Sequence, residues 1–265
     1  MCGLNLAFTP SPGIVERMNA KMSYRGVRSD SKSYFGGSVH LGHVRLPIQG
    51  LSSKHDHPIS LGEWDAAMVG EVFNYKSFDK GAKTDLPVVL RRWKELGPGS
   101  LMDYDGFWAI VFIDQKRGAV HIVTDPLAKK PLYIRHSPFV AVSSEISPLV
   151  DLGPVTENKL YFSAVAKWGY SPTEETPFNE ISKVPAFTHL TIWHNGAFDG
   201  EPYGEIAAEH GNLKLRLENA VENRLVSDVP ISLLLSGGLD STIIFELIKK
   251  KTTDFTVFHV DNGES

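Results

Sequence analysis

The stretch Phe107-Trp-Ala-Ile-Val-Phe-Ile113, followed by Gln115-Lys-Arg-Gly118 and Ala119-Val-His-Ile-Val-Thr124, decides the fold of the first half. Seven consecutive apolar residues are too many for a strand wet on one face. They predict a strand buried on both faces, turning at Gly118 into a second strand of a central sheet. Further β-type runs are Phe139-Val-Ala-Val142 and Leu190-Thr-Ile-Trp193, which bracket a Pro/Ser/Thr/Glu-rich excursion over residues 171–185. Helices are predicted over Gly13–Met22 and Leu86–Leu96, the latter from the spacing of Val89, Leu90, Trp93 and Leu96. Near residue 200 the pattern changes. His194-Asn-Gly-Ala-Phe-Asp-Gly-Glu-Pro202 is turn-rich and reads as the start of a linker. Beyond it, Leu213, Leu217, Val221 and Leu225 predict an amphipathic helix capped by Asn212. Then follow the strand Pro230–Leu235, a glycine loop, a helix carrying Ile243, Ile244, Leu247 and Ile248, and a strand over Phe255–Val260.

Composition narrows the function classes. The 265 residues carry 27 Lys plus Arg against 31 Asp plus Glu, a net charge of -4, so no basic surface for a nucleic acid is implied. No apolar run is long enough to span a bilayer and no signal-peptide pattern opens the chain, so it reads as cytoplasmic with no membrane partner. A single cysteine excludes an internal disulfide and a thiolate zinc cluster. It stands at position 2, where removal of Met1 would place a thiol and a free α-amine on one residue.

The loop Ser236-Gly-Gly-Leu-Asp-Ser-Thr242 lies between a strand and a helix, where backbone N–H groups and the positive helix end suit a phosphate. It lacks the Gly-Lys-Ser/Thr ending of a Walker A loop. It resembles the pyrophosphate loop of the ATP pyrophosphatase superfamily, and Val229-Pro-Ile-Ser-Leu-Leu-Leu235 before it narrows the likeness to the synthetase half of asparagine synthetases. That resemblance implies ATP as cofactor, with Mg2+ supplied from solution and no dedicated metal site. Leu235 and Val260 would touch the adenosine, and Ser236, Gly237, Gly238, Asp240 and Ser241 the pyrophosphate.

An N-terminal cysteine carries its own base, because an α-amine titrating near about pH 8 can take the thiol proton through a water. Met1-Cys-Gly3, Arg25-Gly26, Gly42-His-Val-Arg-Leu-Pro-Ile48, Gly70-Glu-Val-Phe-Asn-Tyr75, Thr84-Asp85, Lys130-Pro-Leu-Tyr133 and Ser144-Glu-Ile146 follow one another as in class II glutamine amidotransferases. The resemblance is to the glutaminase domain of asparagine synthetases. It implies an α+β fold, a four-layer αββα sandwich of the N-terminal-nucleophile hydrolase type, followed by the first strand-loop-helix-strand of an α/β ATP pyrophosphatase domain. In that family Cys2 would attack the side-chain amide of glutamine, and ammonia would pass by an internal tunnel to an adenylated acceptor. Arg45 would pair with the glutamine α-carboxylate and Asp85 would hold its α-ammonium. Ile48, Gly70 and Glu71 would line the site, with the Gly70 N–H in the oxyanion hole.

Three positions depart from the family's pattern. Val69 stands where an asparagine supplies the second oxyanion donor, Arg28 replaces the aspartate of Arg-Gly-Pro-Asp, and Thr124 replaces the arginine before Asp125. Loss of one oxyanion donor costs roughly 100- to 1000-fold in rate, so a slow or conditional glutaminase is expected. His55-Asp-His57 matches no metal-ligand set and reads as a solvated loop. Trp64, Trp93 and Trp108 read as packing residues.

The expected division is a glutaminase domain over 2–195, a linker over 196–210 and a truncated ATP pyrophosphatase domain over 211–265. About 60 residues after the linker are too few for a complete nucleotide domain. The exposed edges and apolar face of such a piece imply docking on the first domain, in a homodimer, or on a separately encoded C-terminal half. Aspartate is the expected acceptor. The rival readings are an amidotransferase for another acceptor and a non-catalytic binding or regulatory fragment.

Overall fold

The computed structural model describes residues 2–194, 196–205 and 211–261. It divides into two compact units, Met1–Pro47 with Ser52–Ile206, and Ile48–Leu51 with Ala207–Ser265.

In the first unit, strands β1 (Gly3–Phe8), β2 (Arg28–Tyr34), β3 (Val39–Arg45), β4 (Ile59–Leu61), β5 (Trp64–Val72), β6 (Gly106–Asp114), β7 (Ala119–Thr124), β8 (Tyr133–Arg135), β9 (Ala141–Ser143), β10 (Ile181–Lys183), β11 (Thr188–Trp193) and β12 (Phe198–Pro202) form two six-stranded sheets. Their orders are β10-β8-β9-β1-β3-β2 and β12-β11-β7-β6-β5-β4, and every pairing is antiparallel. Alternation along β1 and β6 shows why the sheets stack. Leu4 and Leu6 meet Ala109, Val111 and Ile113 in one core between the sheets. The intervening residues of β6, Trp108, Ile110 and Phe112, are equally buried on the opposite face.

Helices cover both outer faces. Ile14, Val15 and Met18 of α1 (Ile14–Lys21) pack with Ala7, Ala141 and Leu149 outside the first sheet. Short α2 (Tyr75–Phe78) leads to α3 (Leu86–Leu96), whose Trp93 stacks on Phe112 at 4.3 Å. Such a stack contributes about 1 kcal/mol beyond area burial. Helix, sheet, sheet, helix is the four-layer αββα sandwich expected from the motifs. Short α4 (Ser147–Val150) and α5 (Lys159–Trp168) complete the unit, α5 starting at Asn158, whose side chain accepts from the Leu160 and Tyr161 N–H groups.

Three local expectations need correction. Residues 198–202, expected in the linker, are β12, because Gly196 at φ 87° closes a tight hairpin onto β11. Tyr203 then donates to the Thr124 carbonyl at 2.9 Å. The excursion over 171–185 returns as β10, pinned by the buried Thr176 hydroxyl donating to the Ile181 carbonyl at 2.6 Å. The segment His55–His57 is tied to the sandwich, as described below.

The second unit holds α6 (Leu213–Asn223), β13 (Ile231–Leu234), α7 (Leu239–Lys249) and β14 (Phe255–Phe258), with β13 and β14 parallel. Asn212 caps α6 by accepting from Leu215 N–H at 3.2 Å. No residue of α6 is buried, however, and Leu213 and Leu217 of its apolar stripe are exposed. Leu234, Leu239, Phe258 and Val260 are also exposed.

Candidate active site

Cys2 immediately precedes β1, and its side chain packs half-buried against the core between the sheets. Its carbonyl accepts from Arg25 Nε at 3.0 Å, and the same guanidinium is ion-paired with Glu145. The residue is therefore anchored from the Arg25-Gly26 and Ser144-Glu-Ile146 motifs. Both motifs are visible in the sequence, but no role for Arg25 or Glu145 is. Ser144 fixes the next turn of chain, accepting from Leu4 N–H at 3.0 Å and donating its own N–H to the Leu4 carbonyl at 2.9 Å. The Cys2 thiol points to the Leu46 carbonyl at 3.7 Å. Burial pushes the thiol above its ordinary range, partly offset by the Leu46 hydrogen bond and the Arg45 charge, while Glu71 raises it further. It is a thiol that needs a base.

Arg45 ends β3, and Gly26 lets a neighbouring segment run against its backbone: a Cβ there would lie 2.3 Å from the Arg45 carbonyl carbon. Asp85 caps α3, its carboxylate accepting from Leu86 N–H and Val72 N–H, each at 2.8 Å. Burial raises Asp85 against the pull of those N–H groups and of Arg45. Glu71, in β5, is raised by burial and by Asp85, with Lys130 and Arg45 acting the other way. Burial and mutual repulsion thus disfavour ionising both acids at once, and a nearby cation would favour their charged forms. Lys130, half-buried with its ammonium 4.8 Å from the Phe107 ring, faces the same charges.

Gly70 is the strained point of β5. Its φ is 120°, and a Cβ would stand 2.0 Å from the Phe107 carbonyl oxygen on the paired strand. Val69 beside it is 2% exposed, inside the same core against which Cys2 packs. The nearby amide of Asn74 bonds to the Asp103 carbonyl at 2.9 Å and accepts from Asp105 N–H at 3.0 Å.

Cys2, Arg45, Glu71 and Asp85 thus lie within electrostatic reach of one another, and Gly70 precedes Glu71 in β5. Ile48 falls in the second unit, where its carbonyl accepts from Asp228 N–H at 2.9 Å. His55-Asp56-His57 is not a free loop. Asp56 accepts from Arg45 at 2.7 Å and from Arg28 at 3.1 Å, and the His57 ring lies 4.5 Å from that of His43.

Burial lowers His43 to about 4, against the Met68 carbonyl it contacts at 2.9 Å, and lowers His121 to about 4 as well. An unfolded histidine titrates near about 6.5. Between the two values the unfolded chain binds protons the folded chain does not, so these groups make stability fall as pH drops from about 6.5 toward 4. The raised acids Glu71 and Asp85 act with the opposite sign. The difference between wild type and His121→Gln isolates the histidine part. Melting temperature is expected to fall less steeply with acid in the variant, and parallel profiles would contradict this.

In the second unit the loop after β13 presents Ser236, Gly237 (φ 82°) and Gly238 at the start of α7. Ser236 Oγ is 3.0 Å from Ser241 Oγ, and the Ser241 and Thr242 hydroxyls donate to the Gly238 carbonyl at 3.1 and 2.8 Å. Leu235 N–H donates to the Phe258 carbonyl at 2.8 Å, His259 Nδ1 lies 2.8 Å from the Leu235 carbonyl, and Val260 is exposed. An exposed glycine turn with hydroxyls at a helix start suits a phosphate chain.

A sandwich of two antiparallel sheets with a cysteine at the head of its first strand places this chain in a definite class. A glutamine amidotransferase domain model matches residues 1–203, and the chain belongs to that family. An asparagine synthase model matches residues 212–265, so the amidotransferase domain is of the asparagine-synthetase-like kind. Asparagine synthetase B [glutamine-hydrolyzing] of Escherichia coli K12 is 29% identical over 69% of this chain and 32% of its own length. Asparagine synthetase [glutamine-hydrolyzing] 1 of Arabidopsis thaliana is 25% identical over 87% and 38%. The chain spans between 32% and 59% of the first curated relatives it matches. Among solved structures, glutamine phosphoribosylpyrophosphate amidotransferase from B. subtilis shares the fold, with a TM-score of 0.56 at 14% identity, covering 98% of this chain and 65% of its own. No helix among the described residues is long and apolar enough to cross a membrane.

Proposed function

We propose that the first unit hydrolyses glutamine through a thioester on Cys2, supplying ammonia for an ATP-dependent amidation of an acid, with aspartate the favoured acceptor. The observation that carries this reading is the thiol of Cys2, anchored through Arg25 and facing the charges of Arg45 and Glu71. With Met1 removed, the Cys2 α-amine takes the thiol proton. Sulfur attacks the amide carbon of glutamine, and the Gly70 N–H stabilises the oxyanion. The amine returns its proton to the departing nitrogen, the C–N bond breaks, and ammonia leaves. Water then cleaves the thioester to glutamate and regenerates the thiol. Arg45 would hold the α-carboxylate. Asp85 and Glu71 would hold the α-ammonium, whose charge favours their ionised forms.

In the second unit, Ser236, Gly237, Gly238, Asp240 and Ser241 would hold the pyrophosphate of ATP with Mg2+ from solution, and Leu235 and Val260 its adenosine. ATP supplies the adenylation that activates an acceptor carboxylate. The exposed Leu213, Leu217, Leu239 and Phe258 side chains suit a covering surface, with a second copy as one source.

Glutamate release from glutamine by the purified protein tests the reading, and Val69 sharpens it. Val69→Asn is expected to raise the rate about tenfold or more by adding a second oxyanion donor. It should also lower the melting temperature, because an amide in that apolar core costs about 1–3 kcal/mol. An unchanged rate would show that another group already serves as the second donor.

A further inference from the structure

Arg28 and Arg45 are register partners on β2 and β3, so two guanidiniums project from directly opposed positions. Like charges so placed repel, and a carboxylate between them relieves the repulsion. That carboxylate is Asp56. One of its oxygens, Oδ1, accepts from both arginines, and its side chain is only 17% exposed. We propose that Asp56 is an internal carboxylate occupying the Arg45 guanidinium, where the glutamine α-carboxylate would bind, so that glutamine must displace it. This rests on the glutaminase reading above.

Asp56 stands between a packed residue, His57, and a segment with space around it. It follows a single 3-10 turn, Ser53–His55, in which no residue is buried. A cavity of about 410 Å³ is lined by Lys54, His55, Asp56 and Pro58 on one side and by Pro87, Leu90 and Arg91 of α3 on the other, so the preceding turn has room to shift. Exchanging one carboxylate for another keeps the arginine pair neutralised throughout. An isolated departure of Asp56 would not. A tethered carboxylate competes at an effective concentration on the order of millimolar, so the wild-type protein binds glutamine weakly through this contact. Sequence reading misses the device because it joins a short polar loop to the ends of two paired strands, Arg28 and Arg45, at spacings of 28 and 11 residues that mark no motif.

The test compares alkylation of Cys2 by 6-diazo-5-oxo-L-norleucine, which carries the α-carboxylate of glutamine, with alkylation by iodoacetamide, which does not. Asp56→Asn is expected to raise the second-order rate with the amino-acid probe about tenfold or more, the worth of one charged hydrogen bond. Asp56→Glu, which keeps the carboxylate, should stay near wild type, and the iodoacetamide rate should be the same in all three proteins. If Asp56→Asn fails to fold, Asp56→Ser carries the same comparison. An amino-acid-probe rate that is unchanged or lower in Asp56→Asn, with wild type still preferring that probe, overturns the proposal and leaves the glutaminase reading standing. A wild-type Cys2 that never prefers the amino-acid probe overturns both.

Discussion

Replacing Cys2 by alanine is expected to abolish glutamate release, with a loss on the order of 10⁴- to 10⁶-fold, as when a covalent nucleophile is deleted. The fold should survive. The side chain is half-buried at the margin of the core, and its anchor to Arg25 runs through the carbonyl, which alanine retains. Stability should therefore change by no more than about 1 kcal/mol. This combination separates nucleophile from structural residue, because a cysteine that mattered only for packing would lower the melting point and leave no chemistry to lose. Glutamate release and thermal melting on the same preparation check it. Equal background rates in the two proteins would sink the enzymatic reading.

Gly70→Ala is the second large effect expected, and it acts through the backbone. The added methyl would stand 2.0 Å from the Phe107 carbonyl oxygen, which belongs to the strand paired with β5 and cannot swing aside like a side chain. The φ of 120° adds strain of about 1–3 kcal/mol for any residue with a Cβ. A total of about 4 kcal/mol or more is expected, a fall of roughly 8–16 °C in the melting temperature of a unit this size. The shift of β5 would also move the Gly70 N–H, the proposed oxyanion donor, so activity should fall even well below the new melting point. A variant that melts like wild type would show that β5 and β6 can part at this position without cost.

The central hairpin was legible because β6 is apolar at every position from Phe107 to Ile113, which burial on both faces explains. α3 was legible from its spacing, and Asn212 from its cap chemistry. Other elements carry no such local signal. β2 reads Arg-Ser-Asp-Ser-Lys-Ser-Tyr and buries Tyr34 alone, because it lies at the sheet edge and is held by its neighbour's backbone. β12 contains Gly200 and Pro202 with two acids, and its residues are all exposed, so its composition matches a linker. Motif order pointed to Cys2, Arg45, Gly70, Glu71 and Asp85. It gave no indication that Arg25 and Glu145 anchor the Cys2 carbonyl or that Asp56 neutralises Arg45. Those are pairings between separate segments, 120 residues apart for Arg25 and Glu145 and 11 apart for Arg45 and Asp56, which local composition does not encode.

The central claim is that Cys2, freed of Met1, forms a γ-glutamyl thioester. The most direct measurement is the mass of the N-terminal peptide after brief incubation with glutamine and an acid quench. The predicted result is a peptide that begins at Cys2 and carries one γ-glutamyl group, absent from Cys2→Ala. A peptide that retains Met1, or an unmodified Cys2 at a time when glutamate is accumulating, would contradict it.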